Sequence, residues 1–183
     1  MIDRGWLALH YPPYWHYDLL QALVVLSRLG VAGDPRAGEV QVKLTASGLC
    51  HSDDHVATGD IPVGVYPFAG GHEGAGIVTK AGENTKGLKE GDHVVFSFLP
   101  SCGHCRWCAS GMQNLCDLGA GLLQGSRWGD PTDFRLKLSD GGQPVGQMCG
   151  ISTFCETTTV SSDSAVKVPS VPRWYFTSPE PWT

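Results

Sequence analysis

Four cysteines stand at C-x2-C-x2-C-x7-C spacing in one short stretch, Cys102, Cys105, Cys108 and Cys116. Short loops at this spacing bring thiolates to the corners of a tetrahedron, and zinc is the natural occupant. A site closed by four thiolates keeps no position open for water or substrate, so it holds a loop together and does no chemistry itself. Iron-sulfur ligation by such a run normally closes with C-x3-C-P, whereas here the last gap is seven residues and Asp117 follows Cys116. Disulfides fit less well, because the total of seven cysteines is odd and three sulfurs within seven residues pair awkwardly. Reduced cysteines without metal are the plain alternative.

Two other segments carry chemistry: Gly48-Leu49-Cys50-His51-Ser52-Asp53-Asp54-His55 and Gly70-Gly71-His72-Glu73-Gly74-Ala75-Gly76. Cysteine and histidine are zinc ligands, a nearby carboxylate can orient an imidazole, and glycines let backbones approach closely. Together they sketch an open metal site. Each also has a structural reading. Cys50 can be a buried small hydrophobe, His72 and Glu73 a polar pair at a turn, and S-D-D-H a helix N-cap with acidic first-turn residues.

The elements that must position these residues read as mainly β. With 42% hydrophobic residues the 183-residue chain can bury a core, and 24 glycines with 12 prolines punctuate short apolar runs. Glu39 to Ala46 alternates polar and apolar residues as a half-buried strand does, and Gly76 to Gly82 and Asp92 to Phe98 follow. Past the cysteines, Phe134 to Leu138, Gln147 to Ile151, Cys155 to Val160 and Ala165 to Val168 are further expected strands. Cys149 and Cys155 fall in this apolar, strand-like text and read as core.

The ends differ. Residues 1–33 hold an aromatic and proline cluster and one expected helix over Asp18 to Leu29, ended by Gly30, with none of the opening strands of a barrel. Residues 169–183 carry four prolines and two tryptophans and are expected to be disordered. A net charge of -5 opposes nucleic acid and anionic membranes as partners, and the apolar run Leu19 to Leu29 is too short to cross a bilayer and lacks the marks of a signal peptide. A cytoplasmic protein is expected, which suits reduced thiols. No G-x-G-x-x-G follows a strand, so no dinucleotide-binding βαβ unit, and no Rossmann domain, is expected.

Taken together, G-L-C-H-S-D-D-H, G-G-H-E-G-A-G-I-V, E-G-D-H-V and C-G-H-C-R-W-C-A-S-G-x-x-N-L-C resemble, in order and spacing, the N-terminal catalytic domain of zinc-dependent medium-chain alcohol dehydrogenases. The wording around the cysteines is closest to the actinobacterial, nicotinoprotein-like branch. The resemblance covers residues 34–168 and implies a GroES-like β-barrel with few short helices and a protruding lobe at about residues 100–118. It implies structural zinc on Cys102, Cys105, Cys108 and Cys116, and catalytic zinc on Cys50 and His72 with Glu73 able to approach the metal. It further implies Ser52 as acceptor of the alcohol proton, His55 as the outer end of the proton relay, and Asp53 as partner of the His72 imidazole. His51 would contact the cofactor pyrophosphate and Phe98 would wall the substrate pocket.

The family reaction is NAD-linked oxidation of a primary alcohol to an aldehyde through a zinc-bound alkoxide, with a small alcohol or aldehyde as substrate. In the family a third cysteine ligand lies further on, beside the cofactor domain, and neither is expected here. The catalytic zinc site is therefore expected to be weakened, and the chain to be a truncated domain inactive alone. The abrupt change of text at both ends is what a reading-frame shift around an authentic segment would leave; a G-x-G-x-x-G-containing continuation in another frame past codon 168 is the expected sign. The alternative function is a zinc-binding structural or interaction module without catalysis. A zinc-ribbon nucleic-acid binder would rest only on the cysteine spacing and Arg106-Trp107, against the charge balance.

Overall fold

The computed structural model describes residues 30–139 and 142–169. The helix expected over Asp18 to Leu29 and the tail beyond residue 169 lie outside these residues.

Among the described residues nine strands form two sheets, with helices confined to short pieces. In chain order they are β1 (Gly30–Ala32), β2 (Glu39–Gly48), β3 (Phe68–Ala69), β4 (Glu73–Ala81), β5 (His93–Phe96), β6 (Leu136–Leu138), β7 (Pro144–Gln147), β8 (Thr157–Ser161) and β9 (Ala165–Lys167). Helix α1 (His51–Thr58) follows β2, and α2 (Arg106–Ala109) is a single turn inside the cysteine loop. The larger sheet runs β8-β2-β4-β5-β9, antiparallel throughout; the smaller runs β1-β6-β7-β3, with only β3 and β7 parallel.

The sequence dictates the first half of β2 directly. Val40 and Val42, two residues apart, face one side and are fully buried beside Val78, Val94, Ile151 and Val160. The alternation fades beyond Val42, where most of the strand is exposed and the pairing with β4 is interrupted between Leu44 and Ala46. That irregularity shifts the register of the strand end, where Ser47 and Gly48 pair with Gly74 and Glu73 of the second chemical segment.

Three sequence expectations need correction. Gly30–Ala32 is a strand paired with β6, so the stretch up to residue 33 does contribute to a sheet. Gln147 to Ile151 is not a strand: β7 ends at Gln147 and a 3-10 turn at Met148–Gly150 follows, with Cys149 at φ 54. Cys155 precedes β8 instead of lying within it. Both thiols are nonetheless packed in, and burial pushes each up to about 12.

A buried ion network that the pattern of motifs does not announce joins β2 to the arm between the cysteine loop and β6. Glu39 is 5% exposed. One carboxylate oxygen accepts from Arg127 Nε at 2.9 Å and Arg135 Nε at 2.7 Å, and the other from Arg127 Nη2 at 3.1 Å and the Arg36 amide at 3.1 Å. Burial by itself would raise this carboxyl; the Arg127 donors and the Arg135 charge outweigh it and hold the group at about 2. The arm is thereby fixed against the barrel.

Candidate functional site

Among the described residues, two groups of side chains bring ligand atoms close enough to hold a metal ion. Cys102, Cys105, Cys108 and Cys116 form one, and Cys50, His72 and Glu73 the other, with ligand atoms in each group within 4.8 Å of one another.

The cysteine lobe is built almost entirely from its own residues. Glycines at 103 and 111, at φ 84 and 83, turn the backbone so that α2 sits between the first and last cysteines. The Cys105 amide donates to Cys102 Sγ at 3.3 Å and the Cys108 amide to Cys105 Sγ at 3.4 Å. Such donors favour thiolate: the amide of Cys108, then that of Asp117, draws Cys105 down to about 6. Burial pushes Cys116 up to about 11. Cys102 and Cys108 Sγ are 3.9 Å apart, against an edge of about 3.8 Å for a tetrahedron with zinc–sulfur bonds of about 2.3 Å. All four thiols are free of disulfides. Donor type, donor number and spacing thus fit zinc. At the stem, Lys86 Nζ donates to the carbonyls of Ser101 at 2.8 Å and Cys102 at 3.2 Å while pairing with Asp163, tying the lobe to the barrel.

The second group is assembled across the fold. Cys50 is the cap of α1 and His72 leads into β4, so two segments over twenty residues apart must be locked together. Asp53 does this. Its carboxylate is buried and accepts from the Cys50 amide at 3.0 Å, the Gly71 amide at 3.0 Å and His72 Nδ1 at 3.3 Å. The bond to Cys50 is one half of a capping box. The helix therefore starts two residues earlier than an S-D-D-H cap implies, with Cys50 in place of Ser52 at the N-cap and Asp53 and Asp54 in the first turn. Capping and site-building are one arrangement here, not rival readings. With Nδ1 turned to Asp53, His72 Nε2 is left to face the group, 3.9 Å from Glu73 Oε1. Sulfur, imidazole nitrogen and carboxylate around a partly open space are a fitting donor set for an exchangeable zinc position.

The remaining predicted residues surround this group. Ser52 Oγ lies 3.6 Å from Cys50 Sγ. His51 and His55 stack with ring centroids 4.6 Å apart, His51 largely in solvent, and His55 Nδ1 is 3.2 Å from Asp60 Oδ2. The Thr58 hydroxyl and His55 hold the Asp60 carboxyl below the usual range. Phe98 is half-exposed and sits edge-on to the His72 ring at 6.2 Å. Among the described residues neither Cys149 nor Cys155 joins the Cys50 group. Ser47 and Thr153, which contact the Glu73 backbone, lie just outside the expected strands, where single hydroxyls carry no spacing signal.

Residues 36–170 match the alcohol dehydrogenase GroES-like domain. The chain belongs to this family. Alcohol dehydrogenase B of Mycobacterium tuberculosis is 50% identical to it over 141 residues, covering 76% of this chain and 37% of the relative. An NDMA-dependent alcohol dehydrogenase of Amycolatopsis methanolica is 50% identical over 134 residues, covering 73% and 35%. Among solved structures, an alcohol dehydrogenase zinc-binding domain protein from Burkholderia ambifaria superposes with a TM-score of 0.70 at 35% identity, covering 77% of this chain and 37% of that one. This alcohol dehydrogenase GroES-like chain therefore spans a little over a third of the length of the curated relatives it matches. It is a mainly β domain, with no Rossmann unit among the described residues and no helix there long and apolar enough to cross a membrane.

Proposed function

We propose that residues 34–168 are the catalytic domain of a zinc-dependent alcohol dehydrogenase, oxidising a primary alcohol to an aldehyde with a nicotinamide cofactor. The observation that carries the reading is the buried Asp53 carboxylate, which turns His72 Nε2 toward Cys50 and Glu73 and leaves one side of the group open. Cys50, His72 and Glu73 would hold the catalytic zinc, and Cys102, Cys105, Cys108 and Cys116 the structural zinc. When bound, the open-site zinc supplies Lewis acidity that brings an alcohol hydroxyl toward ionisation near neutral pH, and a nicotinamide ring accepts the hydride.

The chain's own residues do the rest. Ser52, beside Cys50 Sγ, is the proton acceptor for the substrate hydroxyl. His55 lies three residues on along the same helix, on the same face, and its half-exposed ring passes the proton to water. Phe98, packed edge-on to His72, excludes water from one flank of the substrate carbon. His51 offers a solvent-facing imidazole to the pyrophosphate. Glu73, half in solvent and 3.9 Å from His72 Nε2, would be the most exposed donor to the metal. The cofactor's main platform lies outside residues 30–169, so these residues alone are inactive. A cytoplasmic setting suits the free thiols.

The test is a chimera in which residues 34–168 replace the matching segment of the M. tuberculosis relative. The reading expects alcohol-dependent reduction of NAD, abolished by Cys50→Ser. A chimera that holds zinc and binds NAD yet oxidises no alcohol would contradict it and favour a zinc-binding module without catalysis.

A further inference from the structure

The run Ala69 to Glu73 delivers His72 and Glu73 to the open site, yet only its last residue belongs to the β2–β4 ladder. Its carbonyls are taken instead by a buried segment some eighty residues away. Ser152 Oγ donates to Ala69 O at 2.6 Å, the Phe154 amide to Gly70 O at 3.3 Å and the Thr153 amide to Gly71 O at 3.0 Å. Thr153 Oγ1 donates to Glu73 O at 2.9 Å, and the same carbonyl accepts from Ser47 Oγ at 3.2 Å, the two hydroxyls lying 2.8 Å apart. Opposite this rail, Asp53 receives the Gly71 amide and His72 Nδ1.

Packing makes the rail exacting. Thr153 is 1% exposed and Ser152 fully buried. A Cβ on Gly71, which lies at φ 89, would meet the Thr153 hydroxyl and amide, and one on Gly74 would meet the Thr153 methyl. Ser152 itself is a non-glycine residue at φ 47, a left-handed conformation of the kind that persists where surrounding structure demands it, commonly at functional sites.

We infer that Thr153, assisted by Ser47, is a positioning residue for the open metal site: its hydroxyl fixes the Glu73 carbonyl, and through it the direction in which the His72 and Glu73 side chains face Cys50. The inference rests on the reading of Cys50, His72 and Glu73 as metal ligands. Its effect must therefore fall on that site and spare the cysteine lobe, whose ligands are held by their own loop.

The full chain supplies the internal control. It is loaded with zinc and titrated with a chromophoric chelator, the two release phases being assigned with Cys50→Ser and Cys105→Ser. Thr153→Val keeps the branched shape but removes the hydroxyl, and it is expected to weaken the open-site phase roughly tenfold, the lower end for a lost outer-shell partner, with the lobe phase unchanged. Thr153→Ser, which keeps the hydroxyl, restores the parent affinity. Ser47→Ala, at an exposed position where folding is not at stake, gives a smaller loss at the same site. Parent-like affinity in both Thr153→Val and Ser47→Ala, equal losses at both sites, or failure of Thr153→Ser to restore affinity would overturn the inference. A parent chain with no open-site phase would overturn the ligand assignment itself, and the inference with it.

Discussion

The cysteine lobe and the Cys50–His72–Glu73 group are both three- or four-ligand clusters, yet they are made in opposite ways. The lobe draws every ligand from fifteen consecutive residues, shields its sulfurs, and orients them with amides of its own loop. The open group draws ligands from two segments and depends on Asp53, Ser47 and Thr153 to align them. A closed local cluster suits a staple. A partly exposed cluster braced from afar suits exchange at the metal, because the frame can hold the ligands while one side stays open.

The most severe way to break this contrast is at the lobe. Cys105→Ser should abolish lobe metal, which in small zinc domains carries roughly 10–16 kcal/mol of apparent binding free energy. Metal analysis should show the loss, and hydrogen exchange should show residues 100–118 opening while the Cys50 group keeps its metal. Simultaneous loss at both sites would mean that the two are not independent.

Next in size is the buried network that holds the arm. Glu39 has a folded pKa of about 2 against an ordinary value of 4.5. Its contribution is therefore fully present above about pH 4.5 and lost as pH falls toward 2, amounting to roughly 3 kcal/mol. Glu39→Gln should lower thermal stability at neutral pH and flatten the acid limb of the stability curve. An unchanged acid limb would remove Glu39 from the account.

Asp53→Asn bears on the open group alone. An amide cannot accept from the Cys50 and Gly71 amides and His72 with the strength of a carboxylate, so zinc affinity there should drop about 10–100-fold, read by chelator competition, with the lobe unaffected. The smallest effect belongs to Gly48. A Cβ there would overlap the Glu73 carboxylate, so Gly48→Ala must turn that side chain at a cost of about 0.5–1.5 kcal/mol, roughly two- to twelvefold in open-site affinity.

The same contrast explains what could be read from the sequence. The lobe was legible because its spacing is its geometry. Cys50, His72 and Glu73 were legible as candidates only once several motifs were taken together, since neither segment carries the distance between them. The strands built on Val40, Val78 and Val94 follow from alternation. The turn at Met148–Gly150 did not, because its apolar residues are buried without period and Cys149 takes a left-handed conformation that composition does not signal. Glu39, Arg127 and Arg135 likewise look like ordinary surface charges until the fold brings positions almost a hundred residues apart into one buried network.

The most direct test of a closed staple beside an open, externally braced site is the zinc content of the folded chain under chelator challenge. The account predicts two zinc ions per chain, one exchanging readily and lost on Cys50→Ser, the other retained until the lobe is disrupted by Cys105→Ser. A single tightly held zinc, or none, would contradict it.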